Sequence, residues 1–189
     1  MDEAGRGPWA GPLMVCAVRL NGVAAPKLGG IRDSKLLSPH RREVLFEVIR
    51  AQAAAVAVAW AQPREIDSGD ILAETLKAML RAAVRAAGGI PAADCLVVVD
   101  GNRRIPGLEL EQLVVVDGDR LSQVVGAASI VAKVMRDRWM LSLDRRYPGY
   151  GLARHKGYGT RVHREALKSL GPSPTHRRTY EPVCQLSLW

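Results

Sequence analysis

The sequence predicts an α/β fold: a mixed β-sheet flanked by helices, with a small helical lobe at the C-terminal end. Three observations predict it. Apolar runs of strand length, such as residues 13–20 (LMVCAVRL), 95–99 (CLVVV) and 113–116 (LVVV), stop at polar or glycine-containing breaks. Longer stretches with apolar residues at helical spacing alternate with them, the pattern of layered α/β proteins. The runs at 95–99 and 113–116 are so continuously apolar that strands covered on both faces are expected.

Each element has its own justification. Residues 13–20 read as a largely buried strand. Ser38-Pro39 opens a helix, Ser38 as N-cap and Pro39 at the first position, with Val44, Leu45, Val48 and Ile49 at helical spacing. Residues 54–61 (AAVAVAWA) form a strand candidate, with helix a competitor because of the alanines. A second helix is expected from Ile71 to Ala87, ended by Gly88-Gly89. After the two apolar strands, a long helix with a tightly packable GAASIVAKV stretch runs from Ser122 to about Tyr147, broken by Pro148-Gly149. A Gly/basic loop at 150–159, a short helix near 160–170 and an irregular tail with Pro172, Pro174 and Pro182 complete the chain. The expected units are residues 1–147 as the main domain and 148–189 as the lobe.

Charge is unevenly placed. Residues 143–189 carry nine Lys/Arg against three Asp/Glu, so +6 of the net +8 lies there. A near-neutral body with a basic end fits a polyanion, most often nucleic acid. Cys16, Cys95 and Cys184 have no metal-ligand spacing, and Cys16 and Cys95 lie in apolar runs, so buried thiols in a reducing cytoplasm are expected. No apolar run reaches the roughly 20 residues of a membrane helix.

Asp100 and Asp119 each close or follow an apolar strand beside a glycine. Ligand sites in open α/β sheets gather outside the carboxyl ends of strands, where two such acids would converge and call for a hard cation, Mg²⁺ or Mn²⁺. Asp-Gly after a strand also makes an ordinary turn, and Asp117 competes with Asp119 for the role. Asp2-Glu3 fits the same scheme if it leaves a strand end. Adjacent strand residues point to opposite faces, so both reach one centre only where the strand bends, and Ala4-Gly5-Arg6-Gly7-Pro8 supplies the bend.

These segments resemble type 2 ribonuclease H, ribonuclease HII. DEAGRGPWAGP at Asp2 to Pro12 stands where the family has its opening Asp-Glu and Gly-Arg-Gly-Pro motif, and RDSKLLS at Arg32 to Ser38 is similar to its next signature. EIDSGDILAETLKAM, VVVDGN, GDRLSQVVGAASIVAKVMRDRWM, YPGYGLARHKGYGT and HRRTYEPV follow in family order. The resemblance implies a ribonuclease H-like fold and an endoribonuclease that hydrolyses the RNA strand of RNA–DNA hybrids. It also implies cutting 5′ to single ribonucleotides embedded in duplex DNA, with 5′-phosphate and 3′-hydroxyl products, in DNA replication and repair. Carried over residue by residue, the catalytic and metal-binding acids are Asp2, Glu3, Asp100 and Asp119. Asp119 rather than Asp117 matches because seven residues separate it from Ala127-Ala128-Ser129-Ile130. Two Mn²⁺ or Mg²⁺ ions would serve them.

By the same resemblance, Gly5, Arg6 and Gly7 contact the ribonucleotide and Tyr158 packs on the next sugar. Lys35 and Lys156 are expected to meet phosphates, and Ser129 and Lys133, i,i+4 neighbours on one helix face, touch the substrate backbone or serve in packing. No histidine is needed as base, and His40, His155, His163 and His176 are expected on the surface or in loops, His155 near the substrate. A cytoplasmic monomer is expected. Only Met1 precedes Asp2, where the family carries an apolar strand, so the first strand is expected to be truncated. That motivates the alternative, a hybrid-binding module with impaired catalysis. The related type 3 enzyme, with an added N-terminal domain and a glutamate as fourth acid, fits less well.

Overall fold

The structure, a computed structural model, describes residues 1–20, 31 and 37–186 of the 189. Five strands form its centre: β1 (Asp2–Ala4), β2 (Leu13–Arg19), β3 (Ala55–Ala61), β4 (Leu96–Asp100) and β5 (Glu111–Val115). Between and after them come α1 (Pro39–Gln52), α2 (Pro63–Ser68), α3 (Ile71–Ala87), α4 (Gly118–Leu121) and α5 (Gln123–Arg146). The chain ends in α6 (Leu152–His155), α7 (Arg161–Leu170) and α8 (Glu181–Leu186).

β1, β2 and β3 pair antiparallel, with Asp2 opposite Cys16, while β4 and β5 pair parallel. Met1 joins the two sets: its amino group donates to the Val98 carbonyl at 2.6 Å, and the Asp100 amide donates to the Met1 carbonyl at 3.1 Å. One residue bonded to positions 98 and 100 is the slanted parallel ladder. It sets the order β3-β2-β1-β4-β5 and lays the start of β1, with Asp2, beside the carboxyl end of β4.

β2 is buried on both faces and feeds two cores through its alternation. Leu13, Val15 and Ala17 pack with Met79, Ala82 and Ala83 of α3. Cys16 and Val18 pack on the other face with Leu45, Phe46 and Ile49 of α1 and Ala127, Ile130 and Val131 of α5. At the helix starts, Ser38 accepts the Arg41 amide at 3.2 Å and Asp70 accepts the Ala73 amide at 2.9 Å, caps worth about 1 kcal/mol each.

Two expectations need correction. Strands covered on both faces were expected at 95–99 and 113–116, yet Leu96 and Leu113 are 52% and 50% exposed. Apolar runs report strand propensity, whereas coverage depends on which helices cross, and α3 and α5 pack mainly on β1, β2 and β3. The tail expected to be irregular ends in α8, and α2 is an element for which the sequence carried no expectation. The Glu65 carboxylate accepts the Gln62 amide at 2.6 Å in a capping box that starts α2. Among the described residues no helix is long and apolar enough to cross a membrane.

Candidate active site

Asp2 is the first residue of β1, paired with Cys16, and is 5% exposed. The Glu3 amide donates to its Oδ1 at 2.7 Å, and Ser129 of α5 hydrogen-bonds the same carboxylate. Asp100 sits at the parallel end of β4, next door across the Met1 ladder, and its Oδ1 accepts the Gly118 amide at 2.7 Å. A Cβ on Gly118 would lie 3.1 Å from that oxygen, so glycine lets the start of α4 close on Asp100. Asp119 follows directly and is buried, whereas Asp117 caps α4 in a left-handed conformation and is exposed.

The burial of the acids is only partly relieved. Burial pushes the Asp2 carboxyl up to about 6, the charge of Asp100 adding to the rise and the Ser129 bond opposing it. Burial pushes Glu3 up to about 7, helped by Asp2 and opposed by Arg6, whose Nη1 is 3.7 Å from Glu3 Oε1. Burial also lowers the Met1 amine. Concentrated carboxylates in a dry corner favour a cation, and an all-oxygen donor set suits a hard divalent one. Among the described residues no three His, Cys, Asp or Glu side chains already form a metal-holding group.

The turn after β1 is held from behind by two fully buried arginines. Arg136 of α5 donates to the carbonyls of Ala10, Pro12 and Lys156 at 3.0–3.1 Å. Arg177 donates to the carbonyls of Gly5, Arg6 and Gly11. Gly5, at φ +98°, packs its Cα face directly on the Arg136 guanidinium, where a Cβ would lie 2.1 Å from Nε. Through Arg136 and the bond from the Trp9 amide to the Gly157 carbonyl (2.8 Å), this turn is stitched to the 156–158 loop. Tyr158 on that loop is 47% exposed. Lys156 takes a left-handed conformation, and its ammonium bonds the Ala153 carbonyl.

Three histidines expected on the surface or in loops are instead the buried centre of the lobe; this corrects the sequence reading. His155 and His163 stack with ring centroids 4.4 Å apart, and His163 Nε2 lies 3.0 Å from His176 Nε2. The Ser173 amide donates to His176 Nδ1 at 3.0 Å, so that nitrogen carries no proton. His176 Nε2–H then donates to His163 Nε2, and His163 Nδ1–H donates to the Tyr158 carbonyl at 2.9 Å. Burial pushes both His163 and His176 down to about 4. Each ring has one backbone partner close in sequence, and the second partner of each is the other ring, 13 residues away.

Of the expected site residues, Asp2, Glu3 and Asp100 fall within mutual electrostatic reach, with Asp119 beside Gly118. Gly5, Arg6 and Gly7 adjoin them. Ser129 engages Asp2, and Lys133 pairs with Asp137 at 2.7 Å. Lys35 lies outside the described residues. Arg136, Arg177 and Tyr180 carry no sequence expectation; the signals were the motifs VMRDRWM, which holds Arg136, and HRRTYEPV, which holds the other two, neither assigning these residues a role.

The sequence model of the family described as Ribonuclease HII matches residues 1–183. The ribonuclease HII of Albidiferax ferrireducens is 48% identical over 186 residues, covering 98% of this chain and 86% of the relative. The crystal structure of ribonuclease H2 from Pyrococcus horikoshii superimposes with a TM-score of 0.79 at 28% identity, covering 99% of this chain and 95% of that one. The Bst-RNase HIII structure in complex with Mn²⁺ gives a TM-score of 0.76 at 20% identity, covering 99% of this chain and 67% of that one, a likeness of fold.

Proposed function

The chain belongs to the ribonuclease HII family and is a ribonuclease H acting on RNA–DNA hybrids; from that premise we propose that Asp2, Glu3, Asp100 and Asp119 hold two divalent ions, Mn²⁺ or Mg²⁺, and that the enzyme also cuts 5′ to single ribonucleotides in duplex DNA. The observation carrying this reading is the Met1 ladder, which brings Asp2 at the start of β1 beside Asp100 at the carboxyl end of β4. When bound, the ions supply an activated water, charge neutralisation at the phosphate and support for the leaving oxygen.

The chain's own residues then divide the remaining work. The Gly118 amide fixes Asp100 Oδ1, and Ser129 fixes Asp2, so neither carboxylate must reorganise when a cation enters. Arg6 and Gly7 offer exposed amides to the ribose, whose 2′-hydroxyl separates RNA from DNA. Tyr158 presents an open ring face to the next sugar, reporting the step from ribose to deoxyribose. Lys156 and the basic residues of 148–189 attract phosphates, an attraction that weakens with salt. The lobe thus serves as the substrate-side unit of a cytoplasmic monomer engaged in ribonucleotide removal.

The test is cleavage of a duplex with one embedded ribonucleotide in Mn²⁺ or Mg²⁺. Wild type should leave 5′-phosphate and 3′-hydroxyl ends, and Asp2→Asn should lose more than the roughly 10–100-fold typical of an outer-shell change. Wild-type-like cleavage by Asp2→Asn sinks the site assignment, and binding without any cleavage by wild type sinks the mechanism.

A further inference from the structure

We propose that Arg177 and Tyr180 are positioning residues that set the ribose specificity of the enzyme, by holding the Gly5–Gly7 turn so that its two central amides face the substrate. The proposal rests on the reading of that turn as the ribose reader.

Arg177 is 0% exposed, and among the described residues no carboxylate pairs with it. Burying a guanidinium without a counter-ion is costly, and an apolar side chain would fill the same space at lower cost. Its donors are spent on backbone carbonyls. Nη2 reaches Gly5 at 2.6 Å and Gly11 at 2.9 Å, Nη1 reaches Arg6 at 2.7 Å, and Nε reaches Gly11 at 3.2 Å. Tyr180 completes the set: its hydroxyl accepts from Arg177 Nη1 at 3.0 Å and donates to the Arg6 carbonyl at 2.6 Å.

In a trans peptide the carbonyl of one residue and the amide of the next point in opposite directions. Pinning the Gly5 carbonyl therefore turns the Arg6 N–H away from Arg177, and pinning the Arg6 carbonyl does the same for the Gly7 N–H. Among the described residues neither amide has a protein partner, and both residues are exposed. A Cβ on Gly7 would meet no protein atom within 4 Å, so the free protein has no steric need for glycine there. Two unpartnered amides beside unfilled space are a donor pair kept for a ligand. A cation on the carbonyl side of both peptides also polarises them and strengthens the amides as donors.

Tyr180→Phe keeps the ring over the guanidinium (5.2 Å) and removes the hydroxyl alone. On a duplex with one ribonucleotide it should raise KM about tenfold, the scale of one lost hydrogen bond to a charged network. Its kcat, its affinity for the all-DNA duplex and its Tm (within about 2 °C) should stay at wild-type values. Arg177→Lys, which cannot span three carbonyls, should raise KM further. Gly7→Ala is the reference, blocking ligand approach without touching the clamp, and should raise KM at unchanged Tm. Wild-type KM in Tyr180→Phe and Arg177→Lys, with KM raised in Gly7→Ala, overturns the clamp and leaves the reader standing. Wild-type KM in Gly7→Ala overturns the reader, and the clamp with it. Should Arg177→Lys fail to fold, Tyr180→Phe decides alone, and a rise in KM matched by weaker all-DNA binding or a fallen Tm overturns the specificity role.

Discussion

The Gly5–Gly7 turn lies between two buried charged regions that are built on opposite principles. In front are Asp2 and Glu3, acids whose burial is only partly offset by Ser129 and Arg6, so both carboxyls are pushed well above their ordinary range. Behind are Arg136 and Arg177, as deeply buried, yet with their donors met by carbonyl oxygens. The scaffold side is satisfied within the protein; the acidic side is not, and the proposed cation would complete it. Polar burial that completes itself makes structure, and polar burial left incomplete marks where a ligand belongs.

The comparison breaks most visibly on the scaffold side. Arg136→Met removes the donors to Ala10, Pro12 and Lys156 and leaves three carbonyls unmet in a buried space. The expected loss is about 3–5 kcal/mol, because each stranded group carries its desolvation cost. Denaturant unfolding measures it, and a loss under about 1 kcal/mol would mean that the carbonyls find other partners.

Neutralising an acid should do the reverse. Asp100→Asn keeps the oxygen that accepts the Gly118 amide while removing a charge that raises Asp2 and Glu3. Cleavage should fall more than about 100-fold, near 2.7 kcal/mol of barrier, with Tm unchanged or raised. A lowered Tm alongside lost activity would show Asp100 to be structural and end the contrast.

How far the sequence revealed each region follows from the same physics. Asp100 stood out locally, as VVVD before a glycine, whereas Asp2-Glu3 fitted only on condition that a strand ends there and was singled out by the resemblance. The caps at Ser38 and Asp70 were equally local, and only Ser38 was read. The choice of Asp119 over Asp117 came from resemblance, since spacing along a strand left both open, and the structure buries Asp119 while Asp117 faces outward. Arg136 and Arg177 were silent because they bond backbone atoms as far as 172 residues away, and the histidines because only the folding of the lobe brings their rings together. An arginine in VMRDRW looks like solvated charge until β1 and its turn fold over it.

The two regions should also respond oppositely to acid, which gives the smallest effect and the sharpest sign. For His163 and His176 the folded values, pushed down to about 4, lie below the unfolded value near 6.5. The unfolded chain binds protons first, so the stability they support is whole above about 6.5 and is lost as pH falls toward 4. A proton on either ring also sets two N–H groups against each other across the 3.0 Å Nε2 pair, beside His155 and Arg178, whose charges disfavour it further. For Asp2 and Glu3 the folded values of about 6 and 7 lie above the unfolded values of 3.8 and 4.5, so the folded chain binds protons first and gains stability as pH falls through that window. In metal-free protein the two slopes oppose each other between about pH 6.5 and 4.5. His176→Gln removes one side of the balance. Its unfolding free energy should rise relative to wild type by about 2 kcal/mol on acidification across that range, whatever the offset at neutral pH. Parallel curves for the two proteins would show that the histidine chain of the lobe takes up its proton as readily folded as unfolded, and that its burial is not the counterpart of the buried acids.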